Sequence, residues 1–341
     1  MLIVDRLSCI LKNKRMKQKF KITIPEREPS KEDVFGSSRE FIDNFEMNML
    51  NDKMFKMLGI MPEKTYLLTG PPGVGKTMAI KAINNTINKK LTKKMDDMNK
   101  IVEDKQEKGE EIKSLVETTV GLNEFDLITM EYNIGDYGTA YINMGSRTVQ
   151  DFFNEAFYYS DLDLNVLISI DEADALISSR KNGIQSHAED RKVLETIMKN
   201  IQETHDKEGV YLTLMTNTPD IVDEAVLRAG RIDRRIDFKL PNYEERVYAF
   251  KNVIKNINKN ATYKVVRSYN SDNLGELSEG FNYADIYQTM QKALRDKAKS
   301  LIASKKPGII TAGYINQSKL EKAVREHSNE FKDKKKRIGF K

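Results

Sequence analysis

Residues 66–77 read Tyr66-Leu67-Leu68-Thr69-Gly70-Pro71-Pro72-Gly73-Val74-Gly75-Lys76-Thr77. An apolar run ends at Thr69, a glycine-rich turn follows, and Lys76-Thr77 opens a helical pattern from Met78 to Ile87. The turn satisfies G-x-x-x-x-G-K-[S/T] and lies between a strand and a helix, which is the context that motif requires. Glycines let the backbone wrap an anion so that amide N–H groups point inward. The helix N-terminus adds partial positive charge. Pro72, Gly73, Val74, Gly75, Lys76, Thr77 and Met78 are therefore the candidate phosphate cradle for ATP. Lys76 would contact the β- and γ-phosphates and Thr77 would ligate Mg²⁺. A glycine turn with a chance Lys-Thr is the plain alternative, and the flanking strand and helix weigh against it.

A second apolar run, Val166-Leu167-Ile168-Ser169-Ile170, ends in Asp171-Glu172-Ala173-Asp174. Open α/β sheets bind ligands beyond the carboxyl ends of their strands. Asp171 can reach a Mg²⁺ beside Thr77 through water, and Glu172 can orient and deprotonate an attacking water. Acidic residues at a strand end also cap helices. That reading suits Asp174, whereas the upstream P-loop argues against it for Asp171 and Glu172.

Outward from these runs, two more read as strands: Leu127-Ile128-Thr129-Met130 and Tyr211-Leu212-Thr213-Leu214-Met215. Short apolar strands separated by longer segments indicate βαβ units and a parallel sheet covered by helices on both faces. The predicted fold is thus an α/β P-loop domain over residues 31–241, followed by an all-helical domain over 242–330. Residues 1–30 read as a basic arm or linker and 331–341 as a basic tail. A charged segment, 84–118, interrupts the domain after the first helix. Its apolar positions Ile87, Leu91, Met95, Met98 and Val102 form one helical stripe, and Gly109 interrupts it. A projecting helical hairpin and one long solvated helix both fit.

The stretch from Thr213 to Asn242 offers Asn217 at a strand end and four arginines, Arg228, Arg231, Arg234 and Arg235. Asn217 suits a polar contact to a γ-phosphate or an attacking water. Guanidinium groups suit stabilisation of phosphoryl transfer. A surface network with Asp223, Asp233 and Asp237 suits the same residues, and charge alone leaves both readings open.

In order and spacing these segments resemble the AAA clade of AAA+ ATPases, the clade of katanin, spastin-like and proteasomal ATPases. Val222 to Ile236 resembles the clade's second region of homology, with Ile232 for the usual Phe and Ala229 for the usual Pro. The resemblance implies that Arg231 and Arg234 are arginine fingers acting in trans and that Asn217 is sensor 1. It also implies an adenine contact at Phe35-Gly36. Gly280-Phe281-Asn282-Tyr283-Ala284-Asp285 resembles the start of a lid helix, with Ala284 near the nucleotide; Tyr283 stands for a Gly there. Tyr141-Ile142 resembles a pore loop gripping an extended polypeptide. Tyr137 in a neighbouring frame, or plain surface packing, fits as well. Residues 180–187 resemble a second pore loop or an ordinary surface loop. By resemblance the assembly is a homo-oligomer, a hexamer, driven by ATP and Mg²⁺.

Composition narrows the partners. The chain has 341 residues and a net charge of +5 from 56 basic and 51 acidic side chains. That small, dispersed excess disfavours a nucleic-acid partner. One cysteine, Cys9, excludes an internal disulfide framework. Three scattered histidines offer no metal-ligand spacing. No apolar run is long enough for a membrane span, and the N-terminal order is the reverse of a secretory signal. The expectation is a cytoplasmic protein that remodels, unfolds or disassembles a protein substrate, through its pore or an adaptor. Work on nucleic acid or a replication complex, and a nucleotide-switched scaffold, are the competing readings.

Overall fold

In the computed structural model, the apolar runs become strands because each is buried on both faces. The structure describes residues 20, 22–23, 29–107, 127–133, 145–177, 188–223, 225–228, 230–303 and 313–337. The strands are β1 (Ile22–Thr23), β2 (Thr65–Thr69), β3 (Leu127–Asn133), β4 (Asn165–Asp171), β5 (Val210–Thr216) and β6 (Arg234–Asp237). They form one sheet in the order β1-β3-β4-β5-β2-β6. Strands β2 to β6 are mutually parallel, and β1 is antiparallel to β3. All five residues of β2 and all seven of β5 are buried, as a parallel sheet between helical layers requires.

Helix α1 (Ser37–Leu50) and the short α2 (Asp52–Met57) precede β2. Helix α3 spans Lys76–Glu107, α4 Gly145–Ser160, α5 Asp174–Ile177 and α6 Ala188–Asp206. In α4, Val149, Phe152, Phe153, Ala156 and Phe157 recur at helical spacing and are all buried. They pack with Val193, Leu194, Ile197 and Ile201 of α6 against β3, β4 and β5. Phe41 of α1 meets Tyr66 edge-on at 5.3 Å between ring centroids, and Phe45 meets Tyr211 at 5.0 Å.

Two expectations change. The reading of residues 1–30 as an arm does not cover Phe20, Ile22 and Thr23. Phe20 is 2% exposed and stacks edge-on against Phe152 at 5.0 Å, while Ile22 and Thr23 extend the sheet edge. Nor does a separate segment begin at residue 84. Helix α3 runs unbroken for 32 residues from the P-loop, and its stripe Ile80, Ile83, Ile87, Leu91 is buried. Asn84 and Asn88 on this helix are buried too. Asn88 donates to Leu127 O at 2.9 Å and accepts from Leu127 N–H at 2.8 Å, which fastens the start of β3 to α3. Both readings of the charged segment contain a helix up to Glu107, and residues 108–118, where the two differ, lie outside the described residues.

The chain divides into two compact units: Met1–Gly70 with Lys76–Phe238, and Pro71–Gly75 with Lys239–Lys341. The second holds α7 (Tyr243–Asn260), α8 (Ser271–Leu277), α9 (Tyr283–Ala303) and α10 (Gln317–Arg337). Asn242 opens α7 through a reciprocal capping box with Glu245. The core of this unit includes Phe250, Ile254, Leu274, Phe281, Ile286, Leu320 and Val324. A single bridge, Val266 to Ile315, is its one extended pairing among the described residues. No described helix is long and apolar enough to cross a membrane.

Candidate functional site

The P-loop turn is fixed by its glycines. Gly70 has φ 140° and Gly73 φ 78°, both in a region that favours glycine. A Cβ on Gly70 would stand 2.1 Å from the Phe238 carbonyl oxygen, so no other residue fits there. Phe238 N–H in turn donates to Thr69 O at 2.7 Å.

Lys76 opens α3 and is 6% exposed. Its Nζ donates to Gly70 O at 2.6 Å and to Asn217 Oδ1 at 2.8 Å. Burial pushes the ammonium below the usual lysine range, against an opposing pull from the carboxylates of Asp171 and Asp174. Thr77 Oγ1 donates to Asp171 Oδ2 at 3.2 Å. A hydroxyl and a carboxylate held together are hard oxygen donors of the kind Mg²⁺ takes, so the residues present fit the ion. Among the described residues, no group of three or more His, Cys, Asp or Glu side chains is arranged to hold a metal ion by itself. Any divalent cation here would need ligands from substrate or water, which is the usual state of Mg²⁺.

Glu172 follows the end of β4. It is exposed, and its φ of 52° is strained for a side chain of this size. Two bonds impose the conformation. Its N–H donates to Asp171 Oδ1 at 2.9 Å, and the next residue, Ala173, donates to Met215 O at 2.8 Å. Such outliers gather at functional sites. Asp174 begins α5 and accepts from Thr218 Oγ1 at 3.2 Å; its Oδ1 is buried and unpaired. Asn217 follows β5, exposed, beside Lys76.

The arginines lie elsewhere. Arg234 begins β6, opposite Tyr66 near the entry of β2, whereas the P-loop leaves the exit of β2 after Thr69. Its Nη1 donates to Glu63 at 3.0 and 3.3 Å. Arg231 Nη1 donates to Ala225 O at 2.5 Å and touches Met198 Sδ at 2.8 Å. The expected aspartate network forms only in part, as an Arg235–Asp237 pair at 2.9 Å. Asp233 turns inward instead. One of its oxygens accepts from Lys64 N–H at 2.8 Å and from Thr65 N–H and Oγ1 at 2.9 Å each. Thr65 Oγ1 also lies 2.6 Å from Arg231 O, so its one proton is shared between that carbonyl and Asp233. This clamp, unmarked in the sequence, fixes the backbone of both arginines against the start of β2.

Phe35 and Gly36 precede α1. Ser38 N–H donates to Phe35 O at 3.1 Å, and Ser37 Oγ donates to Asp237 O at 3.0 Å, near the exit of β6. Within the second unit, Ala284 N–H donates to Gly73 O at 3.3 Å. Asn282 was not among the predicted site residues. Its amide donates to Pro72 O at 3.2 Å, and a Cβ on Gly73 would meet that amide at 2.6 Å. Its oxygen caps α9 by accepting from Asp285 N–H at 2.8 Å. The N-x-x-D pattern at 282–285 is the signal that could have found it. Tyr137, Tyr141 and Ile142, and the loop 180–187, lie outside the described residues.

A parallel sheet bearing a P-loop, a Thr–Asp pair and a strained glutamate at its carboxyl end defines a P-loop nucleoside triphosphatase fold. The chain belongs to the ATPase family associated with various cellular activities (AAA), whose family model matches residues 66–240, just over half its length. It is 28% identical over 251 residues to the 26S proteasome regulatory subunit S10B homolog B of Arabidopsis thaliana, covering 73% of this chain and 50% of that one. It is 25% identical over 288 residues to the proteasome-activating nucleotidase of Saccharolobus solfataricus, covering 83% and 61%. A putative cell division cycle ATPase of Plasmodium falciparum is 27% identical over 239 residues, covering 70% and 16%. The chain spans about half the length of the first of these relatives.

Proposed function

We propose that this chain is a Mg²⁺-dependent ATPase that works as a homo-oligomeric ring, a hexamer, and that it remodels, unfolds or disassembles a protein substrate. The observation that carries the reading is the separation of the arginines from the P-loop along one strand. From Tyr66 to Thr69 a strand advances ~10 Å, before the P-loop turn adds more. A guanidinium at the entry of β2 serves a phosphate at the exit of β2 poorly, and a neighbour's phosphate is the natural target.

Lys76 and the backbone amides of Gly73 to Thr77 would hold the phosphates, and Thr77 with Asp171 would hold the metal. Bound Mg²⁺ would neutralise phosphate charge. Glu172 would take the proton of the attacking water, and Asn217 would orient that water. Arg231 and Arg234 of the adjacent subunit would stabilise charge developing on the transferred group, an effect on the order of 10³–10⁵ in rate in related reactions. Phe35, Gly36 and Ala284 would contact the base or ribose. Two of the relatives carry the proteasome in their names, which supports a protein rather than a nucleic acid as the object of the work.

The test is ATPase rate with a permanently unfolded protein or with duplex DNA added. Stimulation by the protein that Tyr141→Ala abolishes is the expected result. Stimulation by DNA alone would sink the remodelling reading.

A further inference from the structure

Arg234 is engaged inside its own subunit. Nη1 sits 3.0 Å from Glu63 Oε1 and 3.3 Å from Oε2, and both side chains are only partly exposed. Glu63 is itself seated. Its N–H donates to Asn48 Oδ1 at 2.9 Å, and Asn48, on α1, is 2% exposed. Asn44, one turn earlier on α1, completes the group. With its amide oxygen turned toward the guanidinium, it accepts from Nη1 at 2.9 Å and from Nη2 and Nε at 3.3 Å each. Its nitrogen then donates to Glu63 Oε2 at 2.7 Å. Three separate pieces of chain, α1, the approach to β2 and the start of β6, thus converge on one guanidinium.

We propose that Glu63 is a positioning residue for Arg234, the resting counter-ion that the guanidinium leaves when it turns to a neighbour's nucleotide. This rests on the reading of Arg234 as a trans-acting arginine. The planar guanidinium presents one fixed fork of donors. Here Glu63 and the Asn44 oxygen occupy that fork, so the donors that hold Glu63 cannot hold a phosphate at the same time. A guanidinium beside a carboxylate also has its charge compensated, and it stabilises a developing negative charge less well. Partly exposed ion pairs are weak, so the exchange is easy once a more highly charged phosphate is within reach. Glu63 thereby keeps Arg234 ordered yet unproductive in a lone subunit.

The test uses the full chain and steady-state ATPase at saturating ATP and protein. Glu63→Gln keeps the shape and removes the charge, and its rate should rise about threefold. Glu63→Asp restores the charge and should bring the rate back toward wild type, which a merely structural loss would not do. Asn44→Ala should move the rate in the same direction as Glu63→Gln, and it serves as the readout if Glu63→Gln does not fold. A lowered or unchanged rate in a folded Glu63→Gln protein, or in Asn44→Ala where it stands in, would overturn the proposal. Arg234→Ala mixed in trace into wild type separates the two claims. Poisoning with no gain from Glu63→Gln removes the role of Glu63 alone. An absence of poisoning removes the trans-acting arginine, and Glu63's role with it.

Discussion

Lys76 Nζ lies 2.8 Å from Asn217 Oδ1, which joins the helix after β2 to the loop after β5. The ammonium is thereby held in place at the mouth of the P-loop. Asn217→Ala should lower kcat on the order of 10²-fold, as loss of one preorganised polar contact to a transition state does, with KM for ATP changed far less. Steady-state kinetics checks this. Equal loss in kcat and in ATP affinity would make Asn217 a support for Lys76 and nothing more.

The same lysine predicts a conflict between binding and stability. Burial depresses its folded pKa below the unfolded value of 10.5, so at neutral pH the fold holds a charge it disfavours. The unfolded chain binds more protons between the two pKa values, and stability therefore rises with pH across that window. Lys76→Met should lose ATP binding and yet unfold at higher urea than wild type at pH 7. The difference should shrink as pH rises towards the unfolded value. Urea melts at several pH values read it; a variant less stable at pH 7 would contradict it.

Glu172 holds a positive φ of 52° that its own and Ala173's backbone hydrogen bonds impose. Glu172→Gln should bind ATP and fail to turn it over. Glu172→Gly should be equally inactive but at least as stable as the glutamine variant, because glycine accepts a φ of 52° without the penalty of about 1 kcal/mol that a side chain meets there. Thermal melts of the two variants decide. A clearly lower melting temperature for the glycine form would show that the backbone there is not strained.

Asp233 anchors both arginines through Lys64 and Thr65. Its charged oxygen accepts from two backbone N–H groups and shares the Thr65 hydroxyl proton with Arg231 O, and hydrogen bonds to charged groups contribute about 1.5–3 kcal/mol each net. Asp233→Ala should cost about 2–4 kcal/mol overall, since Lys64 and Thr65 are buried and their amides lose a charged acceptor. The loss should show in urea unfolding, together with lost ATPase. Full stability with lost activity would move Asp233 from scaffold to chemistry.

Much of this was legible in the sequence because it is local. Strands β2 to β5 announce themselves as unbroken apolar runs, since a central parallel strand must be apolar on both faces. The P-loop and the Asp171-Glu172 pair are contiguous, and their chemistry fixes their spacing. The edge strands were hidden: β6 reads Arg-Arg-Ile-Asp, and β1 has two residues within a basic stretch. An edge needs only one apolar face, so its pattern is short and mixed. The charge density of residues 84–107 masked a helix continuous with the P-loop. Glu63 and Asn44 were out of reach for another reason. Glu63 meets Arg234 from 171 residues away, and no local motif marks such a pair.

The central claim, that each site is completed by a neighbour's arginines, is tested most directly by subunit mixing. ATPase rate would be measured against protein concentration, with Arg231→Ala or Glu172→Gln added in trace to wild type. The account predicts a rate per subunit that rises cooperatively with concentration and falls by more than the mutant fraction. A rate independent of concentration and untouched by Arg231→Ala would contradict it, leaving the arginines structural and the chain a monomeric nucleotide switch.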